Sequence, residues 1–183
     1  VDTLLARHWT RLGLRPAGAA DDATFLRRAH LDVIGTLPAA GEVRAFLANP
    51  DRGALIDRLL KRPEFETYWT FKLSQLLLVG ALKFPPDYPA WLRSRLDEPL
   101  TDTVRLLVTA SGESAPARYF SVNHDPRLLM EFTIQSFHGF RMQCANCHNH
   151  PLERFPQDDY HALAAVFARV RHEPGVVLAP RGE

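Results

Sequence analysis

Both cysteines of this 183-residue chain lie in one run, MQCANCHNHP, as Cys144 and Cys147. His148 follows the second directly, and His150 stands two residues further on. Two thiols at this spacing form a redox couple, hold a metal or attach a cofactor. A plain structural disulfide would have to close a very short loop. The CxxCH order meets a specific chemical demand. Covalent haem c needs two thiols to add to the two vinyl groups on one edge of a porphyrin, and two intervening residues span that distance. The next residue then faces the iron, where neutral imidazole binds both oxidation states. On this reading Cys144 and Cys147 form the thioethers and His148 is the proximal iron ligand.

Other chemistries compete for the same residues. A closed zinc site usually takes four ligands in two pairs, and His148 and His150 are too close together to form the usual second pair. Zinc is therefore the alternative cofactor. A thioredoxin-like dithiol needs strands in a βαβ setting, which the sequence does not offer. His150 lies on the proximal side, two residues past His148. A supporting or haem-propionate role and a plain loop histidine ahead of Pro151 stand level.

The opposite face of the iron has several candidates. In the helical pattern over 63–79, Phe65, Tyr68, Trp69, Leu76 and Val79 share one face, with Thr67, Thr70 and Ser74 opposite. Lys72 falls in the middle of that apolar face. A lysine there must snorkel, pair, or stay neutral and bind something, so it is a distal-ligand or propionate-partner candidate. Met130, on the apolar side of its helix, is the weaker distal alternative. Met142 is too near Cys144 to cross the macrocycle. His138 groups with Arg127, Glu131 and Gln135 on what reads as a solvated face. His30 lies near an apolar stripe and is open to burial, whereas His8, His124, His161 and His172 carry no special pattern. An open sixth position is equally allowed.

The elements that must position these residues read as helical almost throughout. Helices are expected over 2–13, 23–34 capped by Asp21 or Asp22, 39–48, a segment capped by Asp51, 63–79, 101–110, 126–138 and 157–170. Residues 112–124 read as the one long irregular segment. No run shows convincing strand alternation. The expected architecture is all-α: an irregular domain of about eight helices around a haem-binding CxxCH loop. It spans 1–172 and is followed by a loose tail over 173–183.

Composition narrows the function classes. Hydrophobic residues make up 46% of the chain, enough for a core, and the net charge is only +1. No basic block suggests nucleic acid, and no apolar run reaches membrane-spanning length. The chain begins at Val1 inside a helical pattern, so it is expected to be a fragment of a longer protein.

Taken over nearly its full length, the chain resembles the planctomycete-type cytochrome c-like domain family, whose function is unknown. The likeness rests on FLRRAHLDVIGTLP (Phe25–Pro38), YWTFKLSQLLLV (Tyr68–Val79), LLVTASG (Leu106–Gly112) and above all RMQCANCHNHPLERFPQDDYHALAAVFARV (Arg141–Val170). In the last stretch a CxxCHxHP core precedes a QDDY helix start at fixed distance. Two departures stand out. LPAAGEVRAFL keeps only Glu42 of the family's Thr-Pro-x-Glu helix start, and Phe155-Pro156 replaces a Trp-Thr pair. Neither touches the cysteine cluster. The resemblance implies a haem-binding domain of large exported proteins, and Lys72 and His150 match positions in its pattern.

The expected function is a c-type cytochrome domain that carries one haem and transfers electrons, rather than a catalyst. Its partner would be a redox protein or a fused haem domain, and its compartment periplasmic or cell-surface. The alternatives are a haem enzyme with an open sixth position, or a non-haem metal-binding or structural module.

Overall fold

The computed structural model describes residues 2–78, 85–173 and 176–178. The described residues hold nine α-helices: α1 (Asp2–Arg11), α2 (Asp22–Ile34), α3 (Ala40–Ala48), α4 (Arg52–Leu60), α5 (Pro63–Leu76), α6 (Asp87–Arg93), α7 (Leu100–Thr109), α8 (Pro126–His138) and α9 (Gln157–Phe167). Two 3₁₀ segments, Ala115–Val122 and Gln143–Asn146, and two three-residue strands complete them. The chain forms two compact units, Val1–Phe65 and Glu66–Glu183.

In the first unit, local signals set the helix ends. The Asp21 carboxylate accepts the backbone N–H of Thr24 at 2.7 Å to start α2, and Gly35, at φ 72°, ends it in the left-handed conformation. Asp51 starts α4 in the same way through Ala54 N–H at 2.9 Å. The three helices α2, α3 and α4 enclose Leu26, Ile34, Phe46, Leu55 and Leu59, with Phe25, Val43 and Phe65 against them. Each fully buried leucine or isoleucine contributes about 1.5–3 kcal/mol of transfer free energy. His30 is buried among them at 1% exposure. Its Nδ1 donates to Leu26 O at 3.0 Å, and its Nε2 faces Glu42 Oε2 at 3.7 Å.

The second unit has two cores. The larger holds Leu77, Tyr88, Leu92, Leu107, Ala117, Tyr119, Phe120 and Leu129. The smaller holds Met130, Met142, Ala145, Tyr160 and Ala164. The segment 112–124, expected to be irregular, contributes Ala117, Tyr119 and Phe120 to the larger core from its 3₁₀ helix. The tighter 3₁₀ turn leaves no helical period of 3.6 for a sequence reading to detect. Thr133 Oγ1 donates to Leu129 O at 2.7 Å, so the hydroxyl of Tyr119, also 2.7 Å away, donates to Thr133.

Two further expectations are corrected. The face of α5 that carries Lys72 is not buried: Lys72 is exposed, as are Trp69 at 37% and Leu76 at 41%. The inward stripe is Thr70, Leu73, Ser74 and Leu77, at i, i+3, i+4 and i+7. Apolar residues ring this helix on every side, so hydrophobicity alone does not choose a face. Val79 and Gly80 lie outside the described residues. Beyond α9, β1 (Arg171–Glu173) pairs antiparallel with β2 (Val176–Leu178), with His172 opposite Val177. This ribbon is too short for alternation to announce it.

Candidate functional site

Gly139, at φ 76°, ends α8 and turns the chain toward the cysteines. Met142 then enters the small core at 1% exposure, and the chain winds into the 3₁₀ turn Gln143–Asn146. Ala145 N–H donates to Met142 O at 2.9 Å, and the amides of Cys147 and His148 both point to Cys144 O at 3.4 Å. Side chains three apart on such a turn eclipse one another. Cys144 and Cys147 therefore share one side. Both are free thiols and both are exposed, while Ala145 between them is fully buried. The expected loop is thus a compact turn with its thiols outward and its alanine anchored inward.

The two histidines have different roles. His148 is exposed, and its Nδ1 lies 2.7 Å from Asn149 O. A carbonyl only accepts, so the ring proton sits on Nδ1 and Nε2 keeps its lone pair. This second-atom bond is the arrangement that orients a metal-binding imidazole. His150 has both nitrogens engaged. Nε2 donates to Arg141 O at 3.0 Å, and Nδ1 accepts from the backbone amides of Leu152 at 3.2 Å and Glu153 at 2.9 Å. Its own amide donates to Phe155 O at 2.9 Å. His150 thereby staples the entry of the loop to its exit, with no lone pair left for a metal.

Helix α9 holds the turn from the other side. The side chain of Gln157 donates to Asn146 O at 2.8 Å, and its backbone amide donates to Asn149 Oδ1 at 3.0 Å. Asn149 therefore supplies the acceptor for the helix start that Pro156 lacks. Nothing local in the sequence announces this pair, since eight residues separate the partners of the second bond. Phe140 and Phe155 meet edge to face at 5.3 Å beside the loop, and Leu152 stands 88% exposed.

The distal candidates are not gathered at the turn. Met130 is fully buried in the small core with Ala145, on the inner side of the turn, away from the exposed thiols. Lys72 projects from the exposed face of α5, with its Nζ 6.0 Å from the Tyr68 ring centre. The helix that packs against the turn is α9, and α5 makes no extended contact with it. No three His, Cys, Asp or Glu side chains among the described residues are placed to share a metal ion.

One buried polar pair was not legible beforehand. Glu131, assigned to a solvated face with Arg127, Gln135 and His138, is 8% exposed, whereas those three remain exposed. Its Oε1 accepts the hydroxyl of Tyr160 at 2.6 Å, joining α8 to α9. Burial, and then the bond to Glu131, push the Tyr160 hydroxyl above its ordinary range. At the head of α8, bonds to Arg127 hold the Asp125 carboxyl below its usual range.

A family described as a protein of unknown function, PSCyt2 (DUF1549), matches residues 1–83 and 101–172. The chain belongs to the PSCyt2 family. Its two matched segments include α1 through α5, α7 from its second residue, α8 and α9, with the whole CxxCHNHP turn. No curated protein and no solved structure matches this PSCyt2 chain. Among the described residues no helix is long and apolar enough to cross a membrane.

The donor set of the turn fits a covalent haem. Two exposed free thiols share one side, and an exposed imidazole follows with its Nε2 lone pair available. A four-ligand zinc site fits less well, because His150 is committed to backbone at both nitrogens.

Proposed function

We propose that this PSCyt2 domain binds one haem c and serves electron transfer in an exported protein. Cys144 and Cys147 would hold the macrocycle through thioether bonds, and His148 Nε2 would bind its iron. The observation that carries the reading is the bond from His148 Nδ1 to Asn149 O beside two outward-facing thiols. That bond places the proton on one ring nitrogen and leaves the other for iron. The "Cyt" in the family name agrees with it.

The chain's own residues bind and orient. The haem supplies a one-electron redox centre when bound. His150, Asn149 and Gln157 hold the turn in shape, so thiols and imidazole stay on a rigid base. Phe140 and Leu152 offer apolar surface beside the attachment point. Haem c maturation takes place outside the cytoplasm, which fits a periplasmic or cell-surface setting and a redox protein or fused haem domain as partner.

The test is expression with the cytochrome maturation machinery, followed by intact mass and visible spectrum. The reading expects a mass gain of one haem and a Soret band. Bound zinc with an unmodified mass would overturn it in favour of the metal-site alternative.

A further inference from the structure

The Glu131–Tyr160 bond joins α8 to α9, and a carboxylate is an expensive group to bury. Glu131 lies on α8 directly after Met130, whose side chain shares the small core with Met142, Ala145 and Tyr160. Tyr160 is fully buried in that core, and its hydroxyl reaches Glu131 Oε1 at 2.6 Å. The carboxylate is thus tied to the same packed cluster that anchors the inward side of the CxxCH turn.

The charged groups around it offset it only in part. Arg127, one turn earlier on α8, is exposed and shared with Asp125 at 3.2 Å, so it offsets the Glu131 charge only in part. The Tyr160 hydroxyl is neutral; its hydrogen bond stabilises the carboxylate without removing the charge. A buried charge is screened far less than a surface one.

Resting on the haem reading of the turn, we infer that Glu131 is a potential-setting residue: its buried carboxylate lowers the reduction potential of the haem held at Cys144, Cys147 and His148. Reduction adds one electron to the haem, and a fixed negative charge nearby opposes that addition. The oxidised, more positive state is the one it stabilises. Net charge and hydrogen bonding near a redox centre are among the means by which proteins set its potential. Glu131 does not touch the iron in this role; it acts through its charge.

The experiment is a redox titration of the whole matured chain, followed in the visible spectrum, for the wild type, Glu131→Gln and Tyr160→Phe. Glu131→Gln keeps the shape and an acceptor for Tyr160 but removes the charge, so its midpoint potential is expected to rise. Tyr160→Phe keeps the charge and removes the hydrogen bond, so its potential is expected to stay or fall. Glu131→Met carries the same test where the amide variant does not accumulate, with the same upward shift expected. An unchanged or lowered midpoint in a folded, haem-loaded Glu131 variant overturns the inference while leaving the haem reading intact. A wild-type chain that takes up no haem overturns the haem reading itself, and this inference with it.

Discussion

The Nδ1 of His148 and the carbonyl oxygen of Asn149 are 2.7 Å apart, and the side chain of that same asparagine accepts the first amide of α9. One residue thus orients the imidazole through its backbone and starts the supporting helix through its side chain. Replacing Asn149 by Ala should preserve the backbone bond to His148 and remove the helix-start bond. The expected loss is about 0.5–2 kcal/mol of stability, as for other lost helix-start acceptors, read from denaturant unfolding. Haem loading should persist.

The two thiols face outward and make no bond to each other. The double variant Cys144→Ser, Cys147→Ser should therefore unfold within about 0.5 kcal/mol of the parent chain when neither carries haem, as surface changes do. In the maturation system the same variant should gain no haem mass. A retained mass gain would place the attachment elsewhere.

His150 satisfies one backbone carbonyl and two backbone amides. His150→Ala leaves these exposed groups to water, and the expected cost is about 0.5–1.5 kcal/mol, measured by chemical denaturation. Added zinc should not change the unfolding midpoint of either protein. A midpoint raised by zinc in the parent and not in the variant would assign His150 to a metal.

Lys72 is exposed on α5. Lys72→Ala should alter stability by no more than about 0.5 kcal/mol and leave the spin state of the loaded protein unchanged, as its visible spectrum would report. A conversion from low to high spin would establish Lys72 as the sixth ligand.

Acid should loosen the first unit through Glu42 and Glu64. Glu42 accepts the Ala39 amide at 2.8 Å and bonds Arg62, which also pairs with Glu64. The Ala39 hydrogen bond, then Arg62 and His30, hold the Glu42 carboxyl below its ordinary 4.5. The Arg62 hydrogen bond draws Glu64 down to about 2. Both folded values lie below the unfolded ones, so their stabilisation is present above 4.5 and is lost as pH falls from there toward about 2. Urea midpoints measured across this window should fall less steeply in Glu42→Gln than in the parent.

Much of the helical framework was legible because its signals are local. Asp21, Asp51 and Asp125 each accept an amide two or three residues ahead, and Gly35 and Gly139 end their helices at positive φ. The CxxCH spacing was legible for the same reason, since one turn of chain sets the relation of Cys144, Cys147 and His148. What failed was the choice of face. On α5 apolar and polar residues both fall all round the axis and gave the wheel no unique answer, and the half-buried stripe is the one that leads to Leu77, in contact with the core around Tyr88.

By itself, then, the sequence determined the helical class and the order of donors at the turn, because covalent spacing and helix ends act over a few residues. Tertiary structure alone decided that His150 is a staple, that Met130 lies beneath the turn, and that Glu131 is buried against Tyr160. Each of those outcomes depends on a partner brought from another part of the fold: the Arg141 carbonyl, the Ala145 core and a hydroxyl 29 residues away on α9. A polar side chain's role is set by whether such a partner arrives, and only packing brings it there.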